Sequence, residues 1–112
     1  MTPGEVVLIR LRSAGGAPSK IRSALVLASP PGPYQNVLLS GISTQLQQLE
    51  RDWDELIQTS DADFASSGLR QASAVRLSFL YAADATEILG SIGRLDATRL
   101  ARLRSRLAKR LE

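Results

Sequence analysis

Three short apolar segments within the first 42 residues constrain the fold more than any other feature of the chain. They run from Glu5 to Leu11, from about Arg22 to Ala28, and from Asn36 to Ile42. Each is rich in β-branched or aliphatic residues, is too short for a helix that buries one face, and is bordered by glycine or proline. Because the connections between them are rich in turn residues, we predict an antiparallel sheet or a small barrel.

The middle of the chain predicts short elements. Thr44 and Gln47 have the spacing of a capping box, so we expect a short helix from Thr44 to about Leu49. The next strand is expected near Asp54 to Gln58. Residues 61–69 are typical of a turn or of one helical turn, capped by Ser60 or Asp61 and ended by Gly68.

The last third of the chain predicts two strands and a helix. The strands are expected over residues 73–77 and 87–92. From Asp96, a good N-cap, leucine recurs with helical period to the end of the chain, at Leu100, Leu103, Leu107 and Leu111. We therefore predict a mainly β (α+β) fold with a C-terminal helix over about 96–111.

Length and composition are those of one soluble domain spanning residues 1–112. Hydrophobic residues make up 44% and charged residues 22% of the chain, which is ordinary for a globular protein. The longest apolar runs are far below the roughly 18 residues that a membrane span needs. With no signal-peptide pattern and no cysteine, we expect a cytoplasmic protein without membrane association.

The absence of histidine and cysteine excludes several classes of enzyme. A Ser-His-Asp triad, a Cys-His pair and paired-histidine ribonuclease chemistry all need one of these side chains. A zinc site would have to rely on carboxylates, which is rare. Any catalysis must therefore use Arg, Lys, Ser, Thr, Tyr or a carboxylate.

The formal net charge of +3 is unevenly distributed. Residues 1–93 carry seven Lys/Arg and nine Asp/Glu, whereas residues 94–112 carry seven Lys/Arg and two Asp/Glu. An anionic partner is compatible with this pattern but not identified by it. We expect the leucines of the last helix to pack on the core and its arginines to form a solvated face, with RNA contact through that face as the less favoured alternative.

Lys20 and Arg22 lie where a glycine-rich loop enters the second predicted strand. A strand fixes such a side chain while the loop leaves room for a ligand, so this junction is a good place for chemistry. An arginine at the start of a strand is nevertheless more often a solvated charge. Position alone leaves both interpretations open.

Six short motifs follow one another over nearly the whole chain. The three longest are GEVVLI at 4–9, KIRSALVL at 20–27 and GISTQ at 41–45, and shorter ones follow at 63–69, 73–76 and 92–95. In this order they resemble the PemK/MazF toxins of bacterial toxin–antitoxin systems. Ser23 and Gly41 depart from the family pattern, which has proline at both places.

The resemblance implies a small SH3-like barrel of antiparallel strands with a C-terminal helix, working as a homodimer. Members of the family are growth-inhibiting endoribonucleases that cut single-stranded RNA at specific short sequences, without a metal or another cofactor. An antitoxin protein neutralises them. We therefore expect single-stranded RNA and an antitoxin as the partners of this chain.

The resemblance also implies the catalytic residues. By position, Arg22 matches the active-site arginine of the family and Ser43 its active-site threonine or serine. A guanidinium is always charged and binds phosphate oxygens bidentately, so Arg22 suits stabilisation of a phosphate as charge builds on it. The Ser43 hydroxyl would add a hydrogen bond. Further substrate-binding candidates are Arg12, Lys20, Thr44, Gln45 and Arg76.

Two other functions remain open. The chain could be a catalytically degenerate barrel of the same fold that binds or inhibits an antitoxin, a nucleic acid or a topoisomerase, and the departures at Ser23 and Gly41 slightly favour this. It could also be a dimeric interaction protein without toxicity. Ser43 by itself is more simply a helix cap or a turn residue, and Arg76 a surface ion-pair partner.

Overall fold

The computed structural model describes residues 1–11, 20–33 and 36–112. The strands are β1 (Glu5–Leu11), β2 (Lys20–Ala28), β3 (Asn36–Ser43), β4 (Glu55–Ile57), β5 (Ser73–Asp84) and β6 (Ile88–Arg94). The helices are α1 (Phe64–Ser67) and α2 (Ala97–Arg110), with 3-10 turns at Leu46–Gln48 and Ala85–Glu87. No helix among the described residues is long and apolar enough to cross a membrane.

The six strands form one antiparallel sheet in the order β4-β5-β3-β2-β1-β6. Strands β4 and β6 are its edges, so the sheet of the described residues is not closed. The predicted mainly β fold with a C-terminal helix is confirmed. Asp96 caps α2 as expected, since its side chain accepts a hydrogen bond from the Arg99 amide at 2.7 Å.

Several predicted boundaries were wrong. The predicted helix at 44–49 is only a 3-10 turn at Leu46–Gln48, preceded by Gln45 without a side-chain cap. Asp63, not Ser60 or Asp61, precedes α1, while Gly68 ends it in the left-handed conformation (φ 75°) as predicted. The largest error concerns β5, which runs to Asp84 and not to Leu77.

The core occupies both faces of the sheet, because side chains alternate along each strand. Val6 packs on the face covered by α2, together with Leu103 and Leu107, while Val7 belongs to a second cluster on the other face. Leu111 was predicted to join the core, but it is 69% exposed. Helix α2 therefore packs through its first three turns, and Leu111, which directly follows the helix, projects into solvent.

The register between β3 and β5 breaks between Ser40 and Gly41. Ser40 pairs with Leu80, but the next residue, Gly41, pairs with Arg76, so residues 77–79 have no partners on β3. The buried Ser40 hydroxyl donates a hydrogen bond to the Arg76 carbonyl at 2.8 Å across this break. Residues 76 and 79 are thereby presented at the end of the β2–β3 ladder.

The predicted solvated arginine face of α2 is correct for exposed residues such as Arg104 but wrong for Arg99. Arg99 is 8% exposed and donates hydrogen bonds to Asp63 at 2.9 and 3.1 Å, to Asp61 at 2.8 Å and to Glu55 at 2.8 Å. Arg102 and Arg106 also bind Glu55. This arginine cluster (Arg99, Arg102, Arg106, Glu55, Asp61 and Asp63) attaches α2 to β4 and to the segment before α1, and its guanidinium groups are paired with carboxylates of the same chain.

Within the arginine cluster, the pKa values of all three carboxyl groups are lowered, which favours their ionised form. Burial disfavours the charged form of Glu55, but the hydrogen bond from Arg102 and the three positive charges outweigh it and lower the pKa. For Asp63 burial is likewise outweighed, by hydrogen bonds from the Arg99 side chain and the Asp96 amide, so its pKa is lowered. The Gln58 amide and Arg99 lower the pKa of Asp61.

Candidate active site

An open groove of about 490 Å³ lies where β2, β3 and β5 meet. Its wall combines guanidinium, hydroxyl, amide and aromatic groups. Its lining residues include Arg22 and Ser23 of β2, Gly41 to Ser43 of β3, Thr44 and Gln45 after it, and Arg76, Phe79 and Tyr81 of β5. Two cations and several hydrogen-bond donors in one open groove form a surface suited to a phosphodiester.

The β2–β3 ladder explains how the two predicted catalytic residues come together. Ser23 pairs with Ile42 in this antiparallel ladder. Arg22 precedes Ser23 and Ser43 follows Ile42, so the antiparallel arrangement brings Arg22 and Ser43 to the same end of the two neighbouring strands. Both line the groove, although 21 positions separate them in the sequence.

The predicted substrate-binding residues divide into three groups. Thr44, Gln45 and Arg76 line the same groove as Arg22 and Ser43. Lys20 is the exposed first residue of β2, opposite Leu11, and does not contribute to the groove wall. Arg12 lies outside the described residues.

The Ser43 hydroxyl has a local structural role that leaves its proton free for a ligand. Its oxygen accepts a hydrogen bond from the Gln45 amide at 3.0 Å, which is the turn contact expected of a serine at this position. A hydroxyl that accepts through its oxygen still has one O–H to donate. The turn thus fixes the oxygen while the proton can reach a phosphate in the groove.

Arg76 is held from behind by a buried carboxylate. Its side chain is 24% exposed, and its Nε lies 3.6 Å from Oδ2 of Asp54, whose side chain is fully buried. Asp54 in turn accepts hydrogen bonds from the amide of Ser78 at 3.0 Å, from its hydroxyl at 2.9 Å, and from the Glu50 amide at 2.9 Å. Arg76 is therefore both an ion-pair partner, as one interpretation had it, and part of the groove wall.

The aromatic part of the groove was not predicted from the sequence. Phe79 and Tyr81 have their ring centroids 5.4 Å apart at an interplanar angle of 69°, an edge-to-face contact. Burial raises the pKa of Tyr81 to about 12, so its hydroxyl stays neutral at physiological pH. The alternation of Leu77, Phe79 and Tyr81 was the available signal, because it continues the strand pattern past the predicted end of β5.

The departure from the family pattern at Gly41 has a steric counterpart in the groove. A Cβ atom at this position would lie 3.1 Å from Cδ1 of Phe79, which is tighter than normal van der Waals contact. The ring of Phe79 therefore packs directly over the backbone of β3. A larger residue at position 41 would push the ring away, so Gly41 and Phe79 are matched to each other.

Comparisons with known proteins agree with this architecture. The family model described as PemK-like, MazF-like toxin of type II toxin–antitoxin system matches residues 2–111. The solved structure of Mycobacterium tuberculosis toxin MazF-mt6 is similar in fold, with a TM-score of 0.66 and 21% identity. That match covers 94% of this chain and 96% of the other chain. No curated protein matches the chain.

Proposed function

The chain belongs to the PemK-like, MazF-like toxins of type II toxin–antitoxin systems, and we propose that it is a metal-independent endoribonuclease that cleaves single-stranded RNA at specific sequences. The observation that carries this proposal is the convergence of Arg22, Ser43 and Arg76 in one open groove. Arg22 and Ser43 are its catalytic residues. Thr44, Gln45 and Arg76 bind the substrate beside them.

The chemistry starts from the 2′-hydroxyl of the RNA. The 2′-oxygen loses its proton and attacks the adjacent phosphorus, and the 5′-oxygen leaves and takes up a proton, which produces a 2′,3′-cyclic phosphate and a 5′-hydroxyl. Negative charge builds on the phosphate oxygens during this step. Arg22 and Arg76 neutralise that charge and Ser43 donates a hydrogen bond to it. Contacts within the protein position Arg76 and Ser43 before the substrate arrives. DNA lacks the attacking hydroxyl and is not cleaved.

Arg22→Ala tests the catalytic assignment. Purified antitoxin-free protein is incubated with single-stranded RNA in EDTA, and the product ends are analysed for cyclic phosphate. We expect cleavage by the wild type and a loss of roughly 10²–10³-fold in the variant, the usual effect of removing one preorganised donor. Arg104→Ala, a change at an exposed arginine of α2, is the matched control and should leave cleavage unchanged. Intact RNA after prolonged incubation with the wild type would refute the proposal.

The proposal includes the partners of the toxin. By family membership the protein acts in the cytoplasm as a homodimer and is neutralised by an antitoxin protein. Light scattering of the purified chain should give twice the monomer mass. Co-expression with the protein encoded by a short upstream frame should restore growth in cells that the toxin arrests. A monomeric mass would contradict the homodimer without affecting the assignment of the groove.

A catalytically degenerate binding module is the second candidate, favoured by two observations at the groove. Serine and glycine stand at positions 23 and 41, where the family has proline, and the ring of Phe79 packs over Gly41. Such a module would engage an antitoxin, a nucleic acid or a topoisomerase without cutting RNA. Growth arrest on expression together with unchanged cellular RNA would favour this candidate over the ribonuclease.

A further inference from the structure

Phe79 is an exposed aromatic residue in the wall of a polar groove. Its side chain is 47% exposed, and it shares the groove with Arg22, Ser43 and Arg76. A half-exposed phenyl ring cannot donate a hydrogen bond or carry a charge. What it offers a ligand in this groove is the surface of its ring.

The ring is held in place by contacts on several sides. Tyr81 meets it edge to face, with centroids 5.4 Å apart. The preceding residue, Ser78, is anchored through both its amide and its hydroxyl to the buried carboxylate of Asp54. On the β3 side the ring packs over Gly41, where the absence of a Cβ atom makes room for it. Because the ring is already held in place, stacking of a ligand on Phe79 would cost the protein little conformational entropy.

The neighbouring charges indicate which ligand fits. Proteins that bind single-stranded nucleic acids combine cations that follow the backbone with aromatic rings on which bases stack. In this groove Arg22 and Arg76 provide the cations and Phe79 the ring. We propose that Phe79 is a base-stacking residue for a nucleotide next to the phosphate bound by these arginines, an inference that rests on the proposed ribonuclease function.

Exposure of an apolar side chain does not by itself lead to this inference. Leu89 on the edge strand β6 is equally exposed, at 50%, but it is not part of the groove and is not an aromatic residue. Single exposed hydrophobic residues of this kind are normal on protein surfaces. Phe79 differs because its ring is supported by Tyr81 and lies among the residues that bind the phosphate. Leu89 therefore provides a matched control.

Binding of an uncleavable ligand tests the inference separately from catalysis. The probe is a fluorescein-labelled pool of 2′-fluoro oligonucleotides about ten nucleotides long and of randomised sequence, which lacks the attacking hydroxyl. Affinity is measured by anisotropy in EDTA. We expect Phe79→Ala to weaken binding roughly 5- to 150-fold, the range for loss of one stacked base. Phe79→Leu should lose nearly as much, Phe79→Trp should retain binding, and Leu89→Ala should match the wild type.

Fluorescence of Phe79→Trp supplies a second readout that does not depend on the stability of the alanine variant. A tryptophan that stacks on a base is quenched when the oligonucleotide binds. The signal of the natural Trp53, measured in the wild type, is subtracted. Quenching that saturates with the same affinity as the anisotropy supports stacking, whereas an unchanged signal at saturation overturns it.

The outcomes separate this inference from the proposed function. Phe79→Ala and Phe79→Leu with wild-type affinity, in an assay where Arg22→Ala weakens binding, would overturn the stacking role alone. No binding by the wild type would overturn both proposals. Unchanged oligonucleotide affinity together with an altered oligomeric mass would assign Phe79 to a protein contact and overturn the stacking role as well.

Discussion

The carboxylate of Asp54 lies behind the guanidinium of Arg76, with Oδ2 of the former 3.6 Å from Nε of the latter. The aspartate is fully buried while the arginine reaches into the groove. Nε of Arg76 is itself buried and makes no hydrogen bond to any described residue. Its orientation therefore depends on the charge of Asp54 and on the packing of the strand break around Ser78.

Asp54→Asn is expected to impair RNA cleavage through Arg76. Asparagine keeps the shape of the side chain and one oxygen for Ser78, but it removes the negative charge that attracts the guanidinium. We predict a loss of about 1–2 kcal/mol in transition-state stabilisation, measured as kcat/KM. The control is a double-mutant cycle with Arg76→Ala. If Asp54 acts through Arg76, its substitution has no further effect on kcat/KM in the Arg76→Ala background, and additive losses would contradict a positioning role.

Arg99→Leu is expected to destabilise the fold by roughly 3–5 kcal/mol, because it leaves the buried carboxylate of Asp63 without its main partner and removes one of the three arginines that bind Glu55. Urea unfolding followed by circular dichroism measures the free energy of unfolding. Arg104→Ala, on the exposed side of the same helix, should change that free energy by less than about 0.5 kcal/mol. Equal effects of the two substitutions would mean that the arginine cluster contributes nothing specific.

Stability is expected to fall steeply in acid. The pKa values of Glu55, Asp61 and Asp63 are lowered in the folded protein, so the folded state binds fewer protons than the unfolded chain in that range. The stabilisation is complete above the unfolded pKa values, about 4, and is lost as the pH drops through the lower folded values. Free energies of unfolding at a series of pH values should show this, and Arg99→Leu should flatten the dependence. An equally steep curve in the variant would point to other carboxylates.

Two glycines of β6 should respond differently to substitution by alanine. At Gly93 a Cβ atom would lie 2.3 Å from the Ser66 carbonyl oxygen, whereas at Gly90 it would meet nothing within 4 Å. Gly93→Ala must therefore push α1 away from β6, and we predict a loss of about 2 kcal/mol or more. Gly90→Ala serves as the control on the same strand and should be nearly neutral. Thermal unfolding of both variants measures the difference, and similar midpoints would refute the close packing.

Local sequence patterns predicted the elements that depend on local physics. Strand β1 was predicted with its observed bounds, and α2 was predicted from its leucine period and the Asp96 cap. The second half of β5 was missed because the break at residues 77–79 interrupts the pairing with β3 and is stabilised by Asp54, 24 positions away from Ser78. No local pattern contains such a contact.

The same distinction holds for the groove and for the arginine cluster. The family resemblance singled out Arg22 and Ser43, and the structure places both in one groove with Arg76. Their roles in catalysis and binding stay predictions. The burial of Arg99 could not be predicted from the helical pattern, since its partners lie 36 to 44 positions earlier in the chain.

The arginine cluster reduces the positive charge that the basic C-terminal segment presents to a polyanion such as RNA. Its three guanidinium groups face three carboxylates, so this part of α2 adds almost no field at a distance, although the chain as a whole carries +3. Single-stranded RNA releases about 0.7 counterion for each phosphate that a protein cation neutralises. If the groove binds RNA as proposed, the cations that displace counterions there among the described residues are Arg22 and Arg76, and the seven Lys/Arg of residues 94–112 overstate the attraction of that segment for nucleic acid.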